Sequence, residues 1–174
     1  MKTAKKISLA AILAALAFII LLIGCVLETV TFSVAAIASL VVIVAVVELG
    51  YTYAVLLYAS VSVLAFLLLP VKDPLLYFAG FFGYYPILKS VIEKIKIKPL
   101  SYASKGVVFS AAYALVAFLG IKLFAPEADL IKAVLIAYPI FTVVFYIFDF
   151  ALTKLISYYC RSLRKRLKID ELLK

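Results

Sequence analysis

Six apolar runs, each near the length of a bilayer crossing and each bounded by charge, proline or glycine, make up most of this 174-residue chain. A transmembrane helix needs about 20 mostly apolar residues. The runs cover residues 7–25, 30–47, 52–69, 75–91, 107–124 and 131–159. Only 16% of the residues are charged against 68% apolar, and the mean hydropathy is +1.23. So few polar side chains cannot cover a water-soluble surface, whereas lipid as solvent removes that requirement. The expected fold is all-α: a polytopic membrane protein, with residues 1–174 forming one six-helix transmembrane domain.

The run boundaries follow from backbone chemistry. The stretch Val30 to Leu69 is too long for one span but fits two joined at Glu48-Leu49-Gly50, where Gly50 can supply the positive φ of a reversal. Pro70 and Pro74 cannot both lie inside a continuous helix, so the third span ends between them. The fourth ends in Lys89, Glu93, Lys94, Lys96 and Lys98, the fifth at Ala125-Pro126-Glu127, and the sixth in a basic tail starting at Arg161.

Lys and Arg collect at cytoplasmic ends. With the N-terminus inside, fifteen of them fall on the inner side and three, Lys72, Lys122 and Lys132, on the outer. Both termini are therefore expected in the cytoplasm, with the chain multi-pass in the cell membrane. The net charge of +9 is then a topology signal and an attraction to anionic lipid at the cytoplasmic face, and nucleic acid is not needed to explain it. A lysine-rich start followed by Leu22-Ile23-Gly24-Cys25 also matches a lipoprotein signal, but the apolar run is long for one and five further spans already anchor the chain.

Several residues carry more than a spanning role. In lipid, helices associate through small residues that allow close backbone approach. Ala10 and Ala14, and Ala11 and Ala15, lie four apart on the first span and form two adjacent small faces, for packing inside the bundle or for docking a partner. Span two offers Ser33, Ala35, Ala36, Ala38 and Ser39 for internal packing. Asp149 is an ionisable group at membrane depth, about 18 Å along the helix from the basic tail, and such groups are functional candidates. A salt bridge to Lys89 or Lys105 is its structural reading; substrate or proton handling is the functional one. The segment Phe81-Phe82-Gly83-Tyr84-Tyr85-Pro86 is the densest motif. Pro86 frees the carbonyl of Phe82 and Gly83 weakens the same turn, which predicts a kink. The rings and hydroxyls beside it suit either a small-molecule pocket or an aromatic packing cluster.

Familiar catalytic chemistry is excluded. The chain contains no His and no Trp, and its two cysteines, Cys25 and Cys160, stand at opposite membrane faces as apolar fillers. It has no phosphate-cradling glycine loop, no paired acids at catalytic spacing, and no GxSxG or HExxH motif. The chain is not expected to be an enzyme or to carry a metal or cofactor, and energised transport needs a motor on another polypeptide.

Six spans in about 180 residues, a basic inner tail and the pairs Ala10/Ala14 and Ala11/Ala15 resemble the S components of energy-coupling factor transporters. The Phe81–Lys96 stretch resembles S-component-like bacterial membrane proteins. The resemblance implies a subunit that captures a vitamin or other micronutrient from the outer side and docks a transmembrane T subunit, driven by two ATPase subunits, through the first helix. The ligand chamber then opens toward the outer half, lined by Glu28, Tyr77, Tyr84, Tyr85 and Lys132. The shape-determining protein MreD shares the size and span count, without acidic inner motifs here, and marks the alternative: a non-transporting scaffold with a filled interior.

Overall fold

The computed structural model describes residues 3–27, 30–94, 98–124 and 128–163, and it is helical throughout, with six helical spans long and apolar enough to cross a membrane. The elements are α1 (Thr3–Val26), α2 (Thr31–Glu48), α3 (Tyr51–Leu68), α4 (Asp73–Tyr77), a π-helical turn (Phe78–Phe82), α5 (Tyr85–Ile92), α6 (Lys98–Phe124), α7 (Ala128–Tyr158) and a terminal π-helical turn (Tyr159–Leu163). The fourth span is thus α4, the first π turn and α5 in succession. The contacts divide into two units, residues 2–108 and 109–174, with the boundary inside α6.

In the 2–108 unit, α1 packs on α2 and α3, and α2 also meets the fourth span. Residues three and four apart share a helix face, and here those faces are lined with small side chains. Ala14, Ala17, Leu21 and Gly24 are buried on α1; Ala35, Ala38, Val42 and Ala45 on α2; Ala54, Leu57, Val61 and Ala65 on α3. The large side chains point the other way: Ile12, Ile19, Ile37, Leu56 and Phe66 are exposed. This arrangement suits lipid, where burying bulk gains nothing and close backbone approach gains dispersion contact. Gly24 shows how close: a Cβ there would lie 2.9 Å from Cγ1 of Val34 and 3.4 Å from Cγ of Pro74. Of the small residues expected to pack in span two, Ala35, Ala38 and Ser39 are buried, whereas Ser33 is exposed.

The turns fall where the backbone chemistry puts them. Gly50 has φ 91° and follows α2 by one residue, so α2 and α3 join with no intervening loop. At the other end of α3, the Lys72 ammonium donates to the carbonyls of Phe66 and Leu69, each at 2.6 Å, and covers two of the last orphan acceptors of that helix. The Cys25 thiol, buried, donates to the carbonyl of Val71 at 3.2 Å.

In the 109–174 unit, the C-terminal part of α6 runs beside α7. Phe109 stacks on Phe145 with centroids 4.6 Å apart, the Tyr113 hydroxyl donates to the carbonyl of Val134 at 2.7 Å, and Ser110 Oγ lies 2.8 Å from the Tyr138 hydroxyl. The sixth span continues through Pro139. Most of the described surface of α7 is large and apolar, including Leu135, Ile136, Ile140, Ile147 and Phe150, as a lipid-facing helix requires.

Candidate functional site

The break in the fourth span is the most developed feature of the 2–108 unit. Pro86 has no N–H to give to Phe82, so the α-helical ladder cannot run on through it. The local result is a π-helical turn over Phe78–Phe82, closed by Gly83 N donating to the Phe78 carbonyl at 2.7 Å, with α5 restarting at Tyr85. The kink expected from Pro86 and Gly83 is therefore present as a π turn followed by a restart. Tyr58 of α3 completes it by donating its hydroxyl to the Ala79 carbonyl at 2.8 Å. That ring also explains Gly83: a Cβ there would stand 2.6 Å from Cδ2 of Tyr58 and 2.9 Å from Phe78.

A connected set of rings surrounds the break. Phe32 of α2 meets Tyr77 edge-on at 5.6 Å and Phe82 at 4.9 Å. Phe81 stacks on Tyr85 at 4.9 Å and meets Tyr84 at 6.3 Å, while Tyr84 meets Tyr58 at 6.2 Å. These edge-to-face and offset geometries are the favourable ones for aromatic pairs. Phe78 and Tyr85 have no exposed surface, while Tyr77 and Tyr84 are half-buried. The structure thus brings three of the expected ligand-lining residues, Tyr77, Tyr84 and Tyr85, into one cluster. It adds Phe32 and Tyr58, which the sequence reading did not single out. Glu28 lies outside the described residues, and Lys132 is exposed on α7 in the other unit.

At the end of the unit where α5 closes, Lys89 and Lys105 are both buried and share one carboxylate oxygen, Glu93 Oε1, at 2.6 and 3.1 Å. The sequence reads both lysines as inner-side cations and as candidate partners of Asp149; the packing buries both. Lys94 lies one residue beyond Glu93, and its ammonium stands 4.6 Å over the Tyr51 ring. Tyr51 in turn donates to the Ser90 carbonyl at 3.4 Å. Asp149, in the 109–174 unit, is buried, and Thr153 Oγ1 donates to its backbone carbonyl at 2.9 Å. Ala14 turns into the packing and Ala10 is partly covered, whereas Ala11 and Ala15 are exposed. Among the described residues, no group of three His, Cys, Asp or Glu side chains comes together. Comparison with protein-family models, curated proteins and solved structures returns no match for this chain.

Proposed function

We propose that the chain is a multi-pass subunit of a bacterial plasma membrane, both termini cytoplasmic, that captures a small micronutrient from the outer side and docks a transmembrane partner through α1. This is the working arrangement of the energy-coupling factor S components, with a T subunit and two ATPases as the partners. One observation carries the reading. The first helix has two small faces, and among the described residues one is packed and the other is open: Ala14, Ala17 and Gly24 are buried, while Ser8, Ala11 and Ala15 are exposed. An exposed small face in lipid is a shallow groove into which another helix can fit closely. The break in the fourth span, with Tyr77 and Tyr84 half-buried beside it, supports ligand capture, since interrupted helices expose backbone polar groups that only a cavity or protein contact can satisfy.

The test is co-purification of the tagged chain with T and ATPase subunits from mildly solubilised membranes, read by native mass spectrometry. The Ala11→Leu/Ala15→Leu double variant is expected to insert and remain monodisperse but to lose the partner. Retention of the partner by that variant refutes docking through this face. A second reading, the non-transporting scaffold, is favoured by a separate observation: Phe78 and Tyr85 are fully buried and the rings around the break pack on one another. Recovery of the chain with no bound small molecule and no T subunit would select it.

A further inference from the structure

The seam between α3 and α5 has a polarity pattern that neither docking nor ligand capture uses. Its charged end is formed by Lys94, exposed, with its ammonium 4.6 Å over the Tyr51 ring, and by the Tyr51 hydroxyl, which ties the two helices together through the Ser90 carbonyl at 3.4 Å. At the same end of the fourth span, the buried Lys89 and Lys105 both contact the Glu93 carboxylate. One helical turn further into the membrane the seam becomes aliphatic. Val91 precedes Lys94 by three positions and Leu88 precedes Val91 by three more, while Val55 follows Tyr51 by four, and all three are exposed.

We infer that this seam binds an anionic phospholipid: a phosphate headgroup at Lys94 and the Tyr51 ring edge, with an acyl chain along Val91, Leu88 and Val55. The shape of the pattern selects an amphiphile. A free phosphate uses the cationic end alone, and an acidic protein segment gains nothing from an aliphatic stripe already in lipid. A lysine held against an aromatic ring has part of its water replaced by the ring face, which leaves its remaining N–H groups directed outward at the headgroup level. The inference is independent of whether the chain captures a micronutrient.

The experiment is native mass spectrometry of the detergent-solubilised full chain after exchange with phosphatidylglycerol or phosphatidylcholine. One phosphatidylglycerol is expected to be retained in preference to phosphatidylcholine, and Lys94→Gln is expected to weaken that retention about fivefold, the worth of one interfacial lysine. Lys94→Arg should keep it. Lys154→Gln, which removes the same charge from an exposed site on α7 beside Phe150, should leave it unchanged. Equal loss in Lys94→Gln and Lys154→Gln overturns the seam as a site, as does equal retention of both lipids. Displacement by millimolar inorganic phosphate or glycerol phosphate overturns the lipid as occupant in favour of a free anion. Because Lys94 is exposed, the variant is checked for an unchanged elution profile, and Val91→Asn supplies a second arm that weakens retention by disturbing the chain-binding stripe alone.

Discussion

Glycine 83 and tyrosine 58 depend on one another. The hydroxyl reaches the Ala79 carbonyl only because the ring lies flat against a residue with no Cβ. Gly83→Ala must push the ring of Tyr58 or the π turn aside, an overpacking cost of about 1–3 kcal/mol. It is expected to lower the thermal midpoint in detergent and to slow refolding from denaturant little. Tyr58→Phe keeps the ring and strands the carbonyl, for a smaller loss of about 1 kcal/mol. If Gly83→Ala is as stable as the parent chain, the close approach is not a constraint. Glu93 is a different kind of position, since one oxygen serves two buried ammoniums. Glu93→Gln keeps the shape and removes the charge, and it is expected to cost about 1–3 kcal/mol, with water softening the loss because the carboxylate is 38% exposed. A titration of unfolding with denaturing detergent reads all three variants on one scale. Of these residues, the sequence alone pointed to Gly83, through its neighbour Pro86. It did not point to Tyr58 or Phe32, which arrive from helices 21 and more positions away and leave no local trace. That Lys89 and Lys105 share the Glu93 carboxylate was hidden for a related reason: a cation next to a span end has several acids in reach until the helix packing is known.

At the scale of the element, α1 separates packing from docking. Ala17→Leu introduces bulk into a fully buried face against neighbours that meet at backbone distance and is expected to destabilise the 2–108 unit by about 1–3 kcal/mol. Ala11→Leu places the same bulk on an exposed face and is expected to leave the midpoint unchanged. A comparable loss from both would mean that the two faces are not distinct. The small faces themselves were readable as four-residue spacings, but which of the two turns inward was not, because Ala10/Ala14 and Ala11/Ala15 are chemically alike and only the neighbours choose between them. Most span limits were readable to within a few residues for the opposite reason, the exception being the fifth, expected from residue 107 but helical from Lys98. Their causes among the described residues, Gly50, Pro70 and Pro74, act on the backbone where they stand, whatever packs nearby. The sixth span is the instructive case, since Pro139 lies inside it and the helix nonetheless continues. A proline in a membrane helix is tolerated where neighbours accept the freed groups, and Tyr113 bonds the Val134 carbonyl one residue before the position Pro139 vacates.

At the scale of the whole molecule, six apolar spans establish a multi-pass architecture, while the side on which the ends lie rests on cation placement. Cys160 is exposed at the end of the sixth span and Cys25 is buried. An impermeant maleimide is therefore expected to label the intact protein at Cys160 alone, and only after cells are permeabilised. A cysteine introduced at position 126 in a cysteine-free chain should show the reverse. Labelling of Cys160 in sealed cells would invert the proposed orientation.

The left-handed reversal at Gly50 bears on how the protein is made. With nothing between α2 and α3 beyond that turn, no tether exists to let the second helix settle in the bilayer while the third waits outside. The two must leave the insertion machinery together, as a preformed hairpin, and a short hydrophilic peptide spliced in after Gly50 should restore stepwise entry, detectable by crosslinking arrested nascent chains of increasing length.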